Sequence, residues 1–133
     1  MSRDCLGTIV VLVLQFGLGM TLNLFVTVPP VDARAGFLTE VRTAPLGLTA
    51  HALLGTLLLC AAIVLVTRAV RTQDRLVIAF AATGLVAVAG AFTAGEMFVR
   101  DGRDSVSLAM ALLTGVALVS YAGALARAKA TPA

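Results

Sequence analysis

Charged side chains divide the chain into four long uncharged segments. Residues 5–31, 43–67, 76–95 and 105–126 contain no Asp, Glu, Lys or Arg, and each is at least 20 residues long. A helix rises about 1.5 Å per residue and the hydrocarbon core of a bilayer is about 30 Å thick, so about 20 apolar residues cross it. The pattern predicts an all-α, polytopic membrane protein, a single-domain antiparallel bundle of four transmembrane helices at about 5–28, 46–67, 76–98 and 105–126.

The connections between these spans differ in length. Residues 68–75 and 99–104 are short, which predicts that the helices on either side of each pack antiparallel. The remaining connection, 29–45, is longer and begins with Pro29 and Pro30, which end the first helix. It is predicted to lie on the outer side of the membrane.

Composition excludes several classes of protein. Hydrophobic residues make up 59% of the chain, against about 45–50% in soluble domains. The formal net charge is +3, but the basic residues lie at the ends of the spans rather than on one face, so no nucleic-acid partner is expected. The sequence contains no phosphate-binding glycine loop, nucleophile triad or paired carboxylates, and it leaves no room for a soluble catalytic domain. The protein is expected to be embedded in the lipid bilayer, and no enzymatic activity is predicted.

The basic residues also predict an orientation. Six of them fall on the side that carries both termini and the 68–75 connection, and four fall on the opposite side. Because cytoplasmic connections carry the excess of Lys and Arg, both termini are predicted to lie in the cytoplasm, with the protein in the cytoplasmic (inner) membrane.

Three spans each place one strongly polar side chain near the predicted outer surface. Asn23 and His51 lie about five residues from the outer end of their spans and Glu96 two or three, which is about 3–8 Å deep. Such groups are costly in a bilayer unless they are paired or hydrated. We therefore expect Asn23, His51 and Glu96 to form one polar cluster, supported by Gln15 on the Asn23 row and by Thr93 beside Glu96.

The cluster has two interpretations. It is either an interhelical hydrogen-bond clip that fixes packing, or a small ligand site in which His51 and Glu96 form a proton-sensitive pair oriented by Asn23. No metal site is predicted, because one histidine, one carboxylate and a methionine are an odd ligand set for zinc or copper. Haem b remains an alternative cofactor, with His51 as one axial ligand and a Met, or a histidine from a second copy, as the other.

Small residues recur at helical spacing in the third and fourth spans. Ala87, Ala91 and Gly95 form such a row in the third, and Ala111 and Gly115 begin one in the fourth. Rows of this kind let helix backbones approach closely in a membrane. They predict a non-enzymatic protein, either an accessory subunit of other membrane proteins or a self-associating homo-oligomer. A minimal transporter or channel is the alternative, and it would need polar residues that continue through the middle of the bilayer.

Three segments carry a resemblance to a known group of proteins. They are Asn-Leu-Phe-Val-Thr-Val-Pro at 23–29, Ala-His-Ala-Leu-Leu-Gly at 50–55 and Ser-Val-Ser-Leu-Ala-Met-Ala-Leu-Leu at 105–113. In this order they resemble small bacterial integral membrane proteins with four spans and no assigned activity. The resemblance implies the same four-helix layout and draws attention to Asn23 and His51.

Overall fold

Four helices make up the part of the chain that the computed structural model describes, which is residues 1–26 and 45–130 without the side chain of Asp101. They are α1 (Ser2–Phe25), α2 (Leu46–Thr72), α3 (Arg75–Asp101) and α4 (Asp104–Ala130), and this part of the chain contains no strand. All four are long and apolar enough to cross a membrane. The predicted all-α bundle of four membrane spans is confirmed, whereas the long 29–45 connection lies outside the described residues except for Pro45.

Three helices continue past the ends of the uncharged segments that predicted them, α3 as far as Asp101. α2 extends to Thr72 and carries Arg71 in its last turn, and α4 extends to Ala130 with Arg127 and Lys129 in its last turn. Cations are favourable at a helix C-terminus, and their long side chains reach the membrane surface while the backbone stays helical. The first charged residue after a span therefore does not mark the end of the helix.

Two-residue connections join α2 to α3 and α3 to α4. Gln73 ends α2 in the left-handed region at φ 57°, and Gly102 ends α3 in the same way at φ 62°. Asp74 begins α3: its Oδ1 accepts hydrogen bonds from the backbone N–H groups of Leu76 at 2.9 Å and Val77 at 3.4 Å. A carboxylate at this position satisfies N–H groups that have no partner inside the helix.

Each helix packs against two neighbours, in the order α1, α2, α3, α4 and back to α1. Glycines lie at the interfaces between neighbouring helices, which we call seams, and large side chains of the next helix fit against them. A Cβ built on Gly47 would lie 2.9 Å from Leu22, and one on Gly84 would lie 2.6 Å from the ring of Tyr121. The closest helix approaches thus depend on the absence of a side chain, as the rows of small residues indicate.

Ion pairs join the helices at the end of the bundle where α1 begins and α4 ends. Asp4 of α1 pairs with Arg68 of α2, and Asp74 pairs with Arg127 of α4 through Nε at 2.9 Å. The start of α1, the 73–74 connection and the end of α4 therefore share one end, which we call the first end. The end of α1, the start of α2 and the 102–103 connection lie at the second end.

Large apolar side chains are mostly outside the bundle. Leu24, Phe25 and Leu46 are 65%, 80% and 86% exposed, whereas the fully buried large side chains of the described residues are Tyr121, Leu65 and Cys5. In a membrane this outward apolar surface faces lipid, so hydrocarbon replaces the buried core as the surroundings of most side chains.

Candidate functional site

His51 faces the neighbouring helix α1. A Cβ built on Gly19 of α1 would lie 2.8 Å from Cε1 of the His51 ring and 3.5 Å from each ring nitrogen. The Cε1 corner of the imidazole therefore approaches the α1 backbone at a position that only glycine leaves open. The positions Gly47 and Gly55, four residues before and after His51, lie in the same seam, so the polar ring belongs to a helix interface.

Gln15 is the direct partner of His51. Its side-chain Nε2 donates a 2.9 Å hydrogen bond to the backbone carbonyl of His51. Gln15 also lies over Gly55, where a built Cβ would be 3.3 Å from Nε2 and 3.6 Å from the ring of Phe92 in α3. The contacts are reciprocal, because each helix presents a polar side chain to a glycine of the other.

Two polar atoms of this pair have no hydrogen-bond partner in the described part of the chain. Gln15 Oε1 and His51 Nδ1 are both buried, and neither has a hydrogen bond to any described residue. A buried polar atom in this state costs about 1–3 kcal/mol. Two such atoms on neighbouring side chains make the seam a site with unused hydrogen-bonding capacity.

Asn23 lies at the second end but joins a different seam. Its Oδ1 accepts a 3.3 Å hydrogen bond from the Ser107 hydroxyl of α4, and Asn23 is exposed. Asn23 follows Gly19 by four residues, which is slightly more than one helical turn. Its side chain is therefore rotated about the α1 axis, away from the α1–α2 seam and toward α4. Ser107 was not among the predicted site residues, since a serine in an apolar span does not by itself indicate a polar contact.

Glu96 is bonded to its own helix. Its carboxylate pairs with Arg100 one turn later, Oε1 to Nη2 at 2.8 Å, and the side chains of Arg100 and Glu96 are 40% and 36% exposed. Thr93 donates to the carbonyl of Ala89, also within α3, at 3.0 Å. An acid near the membrane surface reaches a cation four residues away more easily than it enters the bundle.

The expected cluster of three is therefore not a bonded unit among the described residues. Asn23, His51 and Glu96 have no hydrogen bond to one another there, and the expected pairing of His51 with Glu96 is replaced by the Glu96–Arg100 ion pair. The contact that joins two of the named side chains is the one between Gln15 and His51. The described residues also contain no group of three His, Cys, Asp or Glu side chains able to hold a metal ion.

Polar side chains are also buried deeper in the bundle. Thr8, Thr114 and Ser120 are at most 9% exposed, and the Thr114 hydroxyl donates to the Met110 carbonyl at 2.9 Å. Tyr121 is fully buried against Gly84, and its hydroxyl has no hydrogen-bond partner in the described part of the chain. These residues were not among the predicted site residues, because Ser, Thr and Tyr are common in membrane spans without a polar role.

Comparison with known proteins identified no similar protein. No protein-family model matches the chain, and no curated protein or solved structure matches it either.

Proposed function

We propose that the protein is a non-enzymatic structural subunit of a membrane assembly. In this proposal another transmembrane helix docks on the side of α4 that faces away from the bundle. The supporting observation is a shallow groove on that face, open to the surroundings, with a volume of about 470 Å³. The groove is lined by Ala111, Leu112, Gly115, Val116, Val119 and Ser120. It lies on the lipid-facing side of the bundle, because Leu112 and Val119 are 63% and 73% exposed.

Gly115 distinguishes this face from the seams inside the bundle. A Cβ built on Gly115 would meet nothing within 4 Å, whereas Cβ atoms built on Gly84, Gly90 and Gly123 would lie 2.6–3.1 Å from side chains of the facing helix. Glycine lowers the intrinsic stability of a helix by about 1 kcal/mol relative to alanine. Inside the bundle close packing offsets that loss, and a docked helix would offset it in the same way at Gly115.

Site-directed change of the groove tests the proposal. In Gly115→Leu the groove is filled, and the mass of the complex extracted in a mild detergent should fall to that of the single chain. Gly17→Leu is the matched control, because Gly17 on α1 also has open space around it but lies on another helix. An unchanged complex in Gly115→Leu, or a wild-type chain that is monomeric in native membranes, would contradict the proposal.

The identity of the docked helix follows from the same preparation. Mass spectrometry of chains that co-purify with the wild-type protein distinguishes a homo-oligomer from an accessory subunit. Self-association leaves this chain as the sole stoichiometric component, whereas an accessory role adds a second chain that is lost in Gly115→Leu.

A minimal transporter is the second candidate, and the buried polar side chains favour it. From Gln15 to Thr8 along α1 is about 10 Å, and from Thr114 to Ser120 along α4 is about 9 Å, at 1.5 Å per residue. Polar groups thus continue from the His51 level toward the first end. Ion or solute flux into proteoliposomes that is lost in Gln15→Leu would favour transport, and absence of flux from a correctly folded preparation would favour the structural role.

The proposed location is the cytoplasmic membrane of a bacterium, with both termini and the first end of the bundle, which carries Arg68, Arg127 and Lys129, on the cytoplasmic side. The excess of basic residues at the first end supports this orientation. Alkaline phosphatase fused after Ala133 should be inactive and the same enzyme inserted in the 29–45 connection should be active. The opposite pattern would reverse the orientation.

A further inference from the structure

We propose that the first end of the bundle binds the headgroups of anionic phospholipids through a basic surface. The residues of this surface are exposed, each helix contributes one, and they are Arg3, Arg71, Arg75 and Lys129. The basic surface is separate from the groove on α4, and its role does not depend on which side of the membrane it faces.

The acidic side chains at the first end already have cationic partners. Asp4 pairs with Arg68, and Asp74 pairs with Arg127 at 2.9 Å. In the part of the chain that the structure describes, no residue of the basic surface forms an ion pair with an acid. The positive charge of this surface is therefore not balanced within the first end.

The excess of positive charge at the first end follows from the sequence once the helices are placed. Six Lys and Arg residues lie there against two Asp, a net side-chain charge of +4, whereas the second end has two Arg against three acidic residues. Residues 27–44 contain two Arg and two acidic residues, and 131–133 contain no ionisable side chain, so neither segment changes this balance. Such a cluster of cations beside a membrane attracts anionic lipids.

The positions of the cations bring them to the level of the lipid phosphates. Arg71 and Lys129 lie in the last turns of α2 and α4, and Arg75 is the first residue of α3. Long charged side chains at the ends of spans extend toward the membrane surface. A guanidinium can donate two parallel hydrogen bonds to one phosphate, whereas an ammonium acts as a point charge. We therefore expect Arg71 and Arg75, on either side of the 73–74 connection, to contribute most.

Outward apolar side chains beside these two arginines favour a lipid over other anions. Val70 precedes Arg71 and is 48% exposed, and Leu76 follows Arg75 and is 53% exposed. Each lies one residue deeper in its span than the neighbouring cation. A phospholipid has the same order, with its phosphate at the membrane surface and its acyl chains below. A soluble phosphate or an acidic protein would contact the cations without needing this apolar surface.

Electron paramagnetic resonance of spin-labelled lipids tests the proposal on the full chain in phosphatidylcholine vesicles. Lipids in contact with the bundle give a motionally restricted signal. At low salt its fraction should be larger for spin-labelled phosphatidylglycerol, which is anionic, than for spin-labelled phosphatidylcholine, which is zwitterionic. The difference should shrink at high salt, because salt screens exposed charges. Equal fractions at low salt would overturn the proposal. So would a preference that inorganic phosphate abolishes at constant ionic strength, since the surface would then bind the free anion.

Two double variants show whether the basic surface causes the preference. Arg71→Gln combined with Arg75→Gln removes two cations and should abolish most of the preference for phosphatidylglycerol. Arg71→Lys combined with Arg75→Lys is the matched control, because it keeps both charges and should retain most of the preference. An unchanged preference in the Gln variant would refute the role of this surface. If the Gln variant does not insert into vesicles, the wild-type comparison at low salt still decides, since equal fractions contradict the proposal by themselves.

Discussion

Gln15 and His51 are joined across the α1–α2 seam by a 2.9 Å hydrogen bond from the glutamine amide to the histidine backbone carbonyl. The bond uses a backbone oxygen of α2, so it positions the two helices without using the imidazole. Each polar side chain lies over a glycine of the other helix, Gln15 over Gly55 and His51 over Gly19. Packing and hydrogen bonding at this seam therefore depend on the same four residues.

The first prediction concerns Gly19. In Gly19→Ala the new methyl group would lie 2.8 Å from His51 Cε1, so the ring must move out of the seam. We expect the free energy of unfolding to fall by about 1–3 kcal/mol, as for other overpacked sites. Unfolding by SDS in mixed micelles, followed by circular dichroism, measures the change.

Gly7→Ala is the matched control on the same helix. Gly7 has nothing within 4 Å of a built Cβ, so the higher helix propensity of alanine should raise stability by up to about 1 kcal/mol. The effect of Gly19→Ala should also shrink when His51 is replaced by alanine. Equal effects at Gly7 and Gly19 would contradict the described contact.

The sequence was sufficient for the helices, but not for the partners of the polar groups or for their distance from the helix ends. Long uncharged segments leave a membrane helix as the only arrangement that satisfies the backbone, so α1–α4 followed directly. His51 lies five residues after the start of α2, as predicted, whereas Glu96 lies five residues before the end of α3 rather than two or three, because α3 continues to Asp101. Which neighbour each side chain meets depends on rotation about the helix axis and on Arg100 one turn away, and neither is determined by depth.

Glycine positions came closest to predicting a contact. Gly47 and Gly55 on either side of His51 indicated that this face of α2 packs on another helix, and in the structure these glycines meet Leu22 and Gln15 of α1. Glycine spacing did not predict the contact between Tyr121 and Gly84. Gly84 lies on α3, and the α3–α4 register depends on the packing of the whole bundle.

The second prediction concerns the Tyr121 hydroxyl. It is buried and has no hydrogen-bond partner among the described residues, so Tyr121→Phe should raise the free energy of unfolding by about 1 kcal/mol. Gly84→Ala should lower it, because the new methyl would lie 2.6 Å from the Tyr121 ring. Both changes are measured by the same unfolding assay, and a destabilised Tyr121→Phe protein would mean that the hydroxyl has a bonding partner.

The third prediction concerns the α1–α4 seam. Asn23 and Ser107 share a 3.3 Å hydrogen bond at an exposed site, and interhelical bonds of this type contribute on average about 0.6 kcal/mol in membranes. A double-mutant cycle of Asn23→Ala and Ser107→Ala should give a coupling energy of this size. The control cycle combines Asn23→Ala with Ser105→Ala, since Ser105 is an exposed serine in the first turn of α4. This cycle should give no coupling energy. A coupling energy of the same size would indicate a general effect of polarity rather than the hydrogen bond.

The last prediction is a pH dependence at the first end of the bundle. The hydrogen bond from Arg127, followed by those from the N–H groups of Leu76 and Val77, holds the pKa of Asp74 below its usual range. A carboxyl whose pKa is lower in the folded state contributes stability that is fully present above its unfolded pKa, about 3.9. That contribution is lost as the pH falls through the folded pKa. Unfolding midpoints measured between pH 6 and pH 2 should therefore decline in the acid range.

Two variants separate the causes of this decline. Asp74→Asn keeps a side chain that can cap α3 but cannot ionise, so its midpoint should decline less with acid than that of the wild type. In Arg127→Gln the helix cap remains while the cation is lost, so the acid transition should move up toward the usual aspartate range without disappearing. If the unfolding midpoints of all three proteins depend on pH in the same way, Asp74 does not contribute to the pH dependence. The Asp74–Arg127 pair would then have no measurable role in joining α4 to the α2–α3 connection.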